Sequence, residues 1–103
     1  MNGCEVRVTF EGNASPVLGR IATELEKLGY TPKSQDADGL TMAFAGKWFT
    51  ANCDEVRHSV TVVATTGQLA FTFGTGWIAS TWSEADVAWA QARADQVVAN
   101  ASA

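Results

Sequence analysis

One stretch, residues 58–77 (HSVTVVATTGQLAFTFGTGW), constrains the fold more than any other part of the chain. Apolar and polar residues alternate on both sides of Thr66-Gly67, which is the pattern of two β-strands that each bury one face. A turn at Thr66-Gly67 places Val60 opposite Phe73, and the paired apolar side chains then share one face. The stretch therefore predicts a β-hairpin with the cross-strand pairs Ala64–Leu69, Val62–Phe71 and Val60–Phe73.

The same alternation predicts the other strands. Residues 4–11 form a first strand, and Tyr30–Gln35 forms a short edge strand. Residues 40–53 are typical of a second hairpin that turns at Gly46-Lys47. In that hairpin the apolar residues on one side of the turn (Leu40, Met42, Phe44) are expected to face those on the other (Cys53, Ala51, Phe49).

Two helices are expected. Ser15-Pro16 offers a capping side chain followed by a proline at the first helical position, and Gly29 can adopt the left-handed conformation that ends a helix. A first helix is therefore predicted over 16–28. A second begins with capping-box spacing, either Thr81–Glu84 or Ser83–Asp86, and continues to about Asn100 without glycine or proline.

The second helix has two apolar stripes, although a helix that covers a sheet needs only one. The first stripe consists of Val87, Ala90, Ala94, Val97 and Val98. The second consists of Ala85, Ala88, Trp89, Ala92 and Ala99. The additional stripe either packs on the first helix, which is the simpler arrangement, or is offered to another subunit.

Together these elements predict one α+β domain over residues 1–103. The expected architecture is a two-layer sandwich: a mostly antiparallel sheet of five or six strands, with two helices on one face, in the order β-α-β-β-β-β-β-α. The face without helices would carry Thr9, Thr41, Thr50, Thr61, Thr72, Ala43, Ala70 and Val63. It is either a subunit interface or an exposed threonine-rich surface.

Composition argues against several classes of function. The formal net charge is −4, and the seven lysines and arginines are scattered singly, so we expect no nucleic-acid binding. No run of about 18 apolar residues predicts a membrane span. The first twelve residues lack a basic region followed by an apolar run, so we expect no signal peptide and a cytoplasmic location.

Cys4 and Cys53 do not have metal-ligand spacing, and two free thiols are expected rather than a disulfide. His58 is the single histidine, and no cofactor or metal site is predicted around it. Cys53 and His58 end neighbouring predicted strands, so they are the weak candidates for a catalytic nucleophile and base. A surface or capping role is the stronger interpretation of this histidine.

The four tryptophans offer the other candidate sites. Trp48 is predicted on the opposite face from Phe49, where an exposed aromatic ring is typical of a binding surface. An apolar cavity between sheet and helices could be lined by Trp77, Trp82, Phe49 and Phe73, although filling the core is the stronger interpretation of these rings. The candidate ligand or interface residues are Trp48, Thr50, Thr61, Val63, Trp77 and Trp82.

The function predicted from these features is a non-catalytic binding or protein-interaction module, homodimeric through the open sheet face. The alternative is a small-molecule-binding protein or small enzyme with an aromatic pocket. The expected partner is therefore a second copy or another protein, with an apolar small molecule as the alternative.

Overall fold

The computed structural model describes residues 3–47, 50, 52–74 and 82–102. Its elements, in chain order, are β1 (Gly3–Asn13), α1 (Leu18–Lys27), β2 (Tyr30–Gln35), β3 (Gly39–Phe44), β4 (His58–Gly74) and α2 (Glu84–Ser102). The strands form one antiparallel sheet in the order β1-β4-β3-β2. The predicted α+β class is confirmed. The predicted five or six strands and their order are not matched exactly: the described sheet has four strand elements, one of which, β4, has two arms that pair with different neighbours.

Strand β4 contains the predicted hairpin as one continuous element. Its residues 58–63 pair with β3, whereas its residues 66–74 pair with β1. A straight strand of 17 residues would span about 56 Å, yet the longest dimension of the molecule is 38 Å. Gly67 lies between the two arms with a φ of +92°, and the Ser59 hydroxyl donates to the Gly74 carbonyl at 3.5 Å. Strand β4 therefore folds back on itself near Gly67, and the Ser59–Gly74 contact agrees with the predicted register of the hairpin.

The second predicted hairpin is wrong in its pairing. Leu40, Met42 and Phe44 of β3 lie opposite Val62, Val60 and His58 of β4. The described residues between 45 and 57, named here the 45–57 loop, instead bond to one another: the Lys47 N–H donates to Glu55 O at 2.7 Å, and the Arg57 N–H donates to Lys47 O at 2.8 Å. A side chain at Gly46 would collide with the Glu55 carbonyl. The apolar pattern of 49–53 resembles that of 58–62, so alternation alone did not choose the partner.

Both helices lie on the same side of the sheet and bury its inner face. Helix α1 packs against β2, β3 and α2, and α2 also packs against β1. The core contains the paired residues of the β4 arms and of β3, together with one stripe of each helix. Its largest fully buried side chains are Phe71, Phe73, Leu18, Ile21, Leu25, Met42, Leu69, Val60, Val62 and Val97.

Helix α1 ends as predicted but begins differently. Gly29 has a φ of +100°, which is the left-handed conformation expected after the last turn. A short 3-10 turn, Ser15–Val17, precedes the helix and contains Pro16. Ser15 does not cap it, since its hydroxyl donates to Asp38 Oδ1 at 2.6 Å and ties the turn to the β2–β3 loop.

Helix α2 starts in the second of the two predicted capping frames. The Asp86 N–H donates to Ser83 Oγ at 3.2 Å, and the Ser83 N–H donates to Asp86 Oδ2 at 3.1 Å, which is a reciprocal capping box. Thr81, the alternative cap, lies outside the described residues. Ala90, Ala94, Val97, Val98 and Ala101 are buried. The alanines of the second stripe are exposed, so packing against α1 does not explain them; they are Ala85, Ala88, Ala92 and Ala99.

The two edge strands of the sheet are each altered at the backbone. On β1, the Gln91 side-chain amide of α2 donates to the Arg7 carbonyl at 3.0 Å. On β2, Pro32 has no N–H, and the register shifts between Pro32 and Ser34. Both features remove backbone groups that another strand would need for pairing.

Candidate functional site

His58 lies on the inner face of the sheet at the start of β4 and is 5% exposed, the buried polar residue of the core. Its Nδ1 is 2.8 Å from the Val56 carbonyl oxygen, and its Nε2 is 2.5 Å from the Tyr30 hydroxyl oxygen. Because a carbonyl only accepts, Nδ1 carries the proton, and Nε2 accepts the hydrogen bond from Tyr30. Both ring nitrogens are therefore satisfied inside the core.

Four aromatic rings surround this imidazole. Phe44 stacks on it with ring centroids 5.3 Å apart, and Trp89 meets it edge-on at 5.6 Å. Tyr30 approaches edge-on at 5.2 Å, and Phe73 lies at 6.0 Å. Trp89 and Phe73 also contact each other at 5.5 Å. Among the described residues, the His58 ring is thus packed against aromatic side chains.

The buried pair is held in its neutral form. Burial lowers the pKa of His58, and the Arg93 charge lowers it further, while the hydrogen bond to the Val56 carbonyl acts in the opposite direction. Burial also raises the pKa of Tyr30 to about 12, with a smaller opposing contribution from Arg93. A neutral imidazole and a neutral phenol therefore face each other at physiological pH.

Asp54 connects the 45–57 loop to helix α2 next to the aromatic rings around His58. Its Oδ1 accepts hydrogen bonds from Trp89 Nε1 and from the Arg93 guanidinium, each at 2.9 Å. The Arg93 guanidinium also lies over the Trp89 ring, 5.0 Å from its centroid. The Arg93 side chain is only 15% exposed, whereas that of Asp54 is 63% exposed. The ion pair therefore covers the aromatic cluster on its solvent side.

Cys53 is hydrogen-bonded to a residue of α2 and is not positioned as a nucleophile. Its thiol donates to Asp86 Oδ1 at 3.2 Å, next to the capping box. Burial and the hydrogen bond to Asp86 raise the pKa of Cys53 to about 12, so the thiol stays protonated. Both nitrogens of His58 are bonded to Val56 and Tyr30, not to this thiol. The geometry gives no support to the Cys53–His58 catalytic pair.

Asp86 and Cys4 complete this neighbourhood. The Ser83 backbone N–H lowers the pKa of Asp86, and the Cys53 thiol contributes in the same direction. Burial raises the pKa of Cys4. Both thiols are free.

The open face of the sheet carries small, mostly uncharged side chains. Thr41 lies opposite Thr61, with their Oγ1 atoms 3.4 Å apart, and Ala70 of β4 lies opposite Arg7 of β1. Val63 is 44% exposed on this face. Thr61 and Val63 thus occupy the predicted surface. Thr50 does not: it lies in the 45–57 loop, where its hydroxyl accepts the Asn52 N–H at 3.1 Å.

The tryptophan predictions have mixed outcomes. Trp48, Phe49 and Trp77 lie outside the described residues, so the exposed-ring surface and the aromatic pocket remain predictions. Trp82 is half-buried and packs against the core, and Phe73 is fully buried within it. Among the residues described, no helix is long and apolar enough to span a membrane. Over the same ranges, no three His, Cys, Asp or Glu side chains are grouped as metal ligands.

Sequence patterns did not reveal the contacts around His58. They predicted the edge strand that begins at Tyr30, but they did not link Tyr30 with His58 or Asp54 with Trp89 and Arg93. No local pattern links these positions, since each contact joins residues 28 or more apart. The available signal was the placement of the single tyrosine directly after the helix-ending Gly29, at an inward-facing strand position.

Comparisons of the chain with protein-family models, with curated proteins and with solved structures found no match.

Proposed function

We propose that this protein is a non-catalytic interaction module whose partner is a second copy of the same chain, docked through the open face of the sheet. The observation that carries the proposal is Val63, which is 44% exposed at the middle of a face of threonine and alanine. Within the described residues, the other large apolar side chain left exposed is Val87, at 40%, on helix α2. Apolar surface at the centre of an uncharged patch favours association.

A second copy is the proposed partner because two copies of this face can pack against each other. A twofold axis brings the same patch of each subunit together, and small side chains allow two sheets to approach to about 10 Å. The charged groups lie at its sides: Glu5 and Arg7 on β1, and Lys33 on β2. A twofold axis parallel to the strands lays β1 over β2, so the Glu5–Arg7 ion pair of one copy faces the side that carries Lys33 in the other.

The size of the face predicts a weak dimer. Its strands, with β4 counted as two arms, give a width of about 24 Å and a length of about 20 Å. The resulting area of roughly 500 Å² per subunit is below the ~800 Å² of a standard stable interface. We therefore expect dissociation in the micromolar range, around 10–100 μM, rather than nanomolar affinity.

The test is sedimentation velocity over a range of concentrations around that value. Val63→Glu places a charge at the centre of the proposed interface and should leave the protein monomeric. Val87→Glu is the matched control, since it makes the same change at an equally exposed valine on α2 and should dimerise like the parent protein. A parent protein that stays monomeric at millimolar concentration would refute the proposal, as would equal dimerisation of the Val63→Glu variant.

A further inference from the structure

A shallow depression of about 240 Å³ lies at one end of the open face, towards the β2 edge. Its shape follows from the strand register. Ala43 lies between Thr31 and Ser59 in one row across the sheet, so a methyl group forms the floor where larger side chains would fill the space. Gly74, beyond Ser59, adds no side chain. The lining includes Thr31, Lys33, Ala43, Arg57, Ser59 and Gly74.

The charge of this depression is opposite to that of the whole protein. Lys33 and Arg57 both line it, and the described lining contains no carboxylate, although the chain has a net charge of −4. The described ion pairs involve Arg7, Lys27, Lys47 and Arg93, not Lys33. Two positive charges gathered at one concave place attract an anion.

Two hydroxyl groups add directional hydrogen-bonding capacity. Thr31 and Ser59 stand on either side of Ala43, about 10 Å apart across two strand spacings. The Ser59 hydroxyl reaches the Gly74 carbonyl only at 3.5 Å, a long contact that a stronger acceptor can replace. Hydroxyls, an ammonium and a guanidinium thus supply hydrogen-bond donors around the same depression.

We propose that this depression binds the phosphate group of a small molecule or inorganic phosphate itself. A phosphate dianion matches the two cations in charge and has three terminal oxygens to share among Lys33, Arg57 and the hydroxyls. A carboxylate carries one charge and two oxygens, which a single arginine already satisfies. The volume of about 240 Å³ is below the ~300–1,000 Å³ of pockets for drug-sized molecules, so the ligand is small.

The test is a titration followed by amide NMR shifts at constant ionic strength, with inorganic phosphate, phenyl phosphate and acetate as probes. Saturable shifts are expected at Thr31, Ala43, Ser59 and Gly74 with both phosphates. Lys33→Gln should weaken phosphate binding about tenfold, because a charge-assisted hydrogen bond is lost. Lys33→Arg should restore most of the affinity. Lys27→Gln, at an exposed lysine on α1, is the control and should leave it unchanged.

The probes also separate the two sources of the phosphate group. Tighter binding of phenyl phosphate identifies an organic phosphate as the ligand, and equal binding identifies inorganic phosphate. Three results would overturn the proposal: acetate binding as tightly as phosphate, shifts without saturation, or equal losses in the Lys27→Gln and Lys33→Gln variants. The titration is repeated on Val63→Glu, so that phosphate binding is judged independently of self-association.

Discussion

The hydroxyl oxygen of Tyr30 lies 2.5 Å from Nε2 of His58, across the width of an intervening strand. Each of the two residues begins a strand, and each lies opposite Phe44 of β3. Tyr30 of β2 pairs with Phe44 on one side, and His58 of β4 pairs with it on the other. The phenol and imidazole therefore meet over the Phe44 ring. A slip of one residue in either strand would turn one partner to the opposite face and break this bond, so the pair specifies the register of three strands.

Tyr30→Phe should destabilise the protein by about 1–3 kcal/mol, because it leaves Nε2 of His58 buried without a hydrogen-bond donor. Urea denaturation measures the loss. Thr41→Val is a suitable control, since it removes a part-buried hydroxyl from the same sheet where the contact to Thr61 is long, at 3.4 Å. A loss no larger for Tyr30→Phe than for Thr41→Val would contradict the role assigned to the bond.

The single tyrosine makes its ionisation directly observable by ultraviolet absorbance. In the folded protein the tyrosinate signal should rise with a midpoint near pH 12, compared with the ordinary pKa of 10.0 in the urea-unfolded chain. Since the folded state keeps its proton longer, the free energy of unfolding should fall as pH rises from about 10 to 12. A midpoint near 10 while circular dichroism still reports the native fold would count against the buried phenol.

Mild acid should destabilise the folded protein through protonation of His58, the single histidine. Its folded pKa lies below the ordinary 6.5, so the unfolded chain takes up this proton first. The free energy of unfolding should therefore decrease as pH falls below about 6.5, until the folded pKa is passed. His58→Gln should remove this slope between about pH 5 and 7, above the range where ordinary carboxylates titrate. An NMR titration of the imidazole with a midpoint at or above 6.5 would be the opposite result.

The thiol of Cys53 should alkylate slowly at mildly alkaline pH, because its pKa of about 12 leaves little thiolate. Burial is the largest cause of this raised pKa, and the Asp86 carboxylate adds to it; Asp86→Asn removes that carboxylate's charge and should accelerate the reaction by roughly threefold to tenfold. Mass spectrometry after timed alkylation separates Cys53 from Cys4. Asp95→Asn, on the same helix, is the control and should react like the parent. Rapid alkylation of Cys53 in the parent would instead return it to consideration as a nucleophile.

Local patterns predicted much of the fold. Alternation identified β1 and the buried face of β4, and capping chemistry gave the Ser83–Asp86 frame of α2 as one of two alternatives. These features depend on neighbours in the chain, so a short window contains the necessary information. The buried apolar face of the hairpin was correct for the same reason.

Contacts between residues distant in the chain could not be predicted from local patterns. The partner of β3 was misassigned because the apolar spacing of residues 49–53 and 58–62 satisfies β3 equally well, and only the hydrogen bonds within the 45–57 loop exclude the first. Val87 belongs to the first apolar stripe of α2, whose other members are buried, yet it is 40% exposed. It lies near the start of the helix, so its exposure depends on where α2 begins over the sheet. The Tyr30–His58 bond has no local signature at all.

The edges of the sheet affect how many copies of the chain can assemble. The relevant features are the Gln91 amide on the β1 edge and Pro32 on the β2 edge. Sheets that add strand to strand present a fresh edge at each addition and grow without limit. Here a side chain occupies one outward carbonyl of β1, and β2 lacks an outward donor. Face-to-face pairing, in contrast, uses up the surface that forms it. The proposed face-to-face assembly is therefore expected to close at two subunits, so that protein concentration would set the amount of dimer but not the length of a polymer.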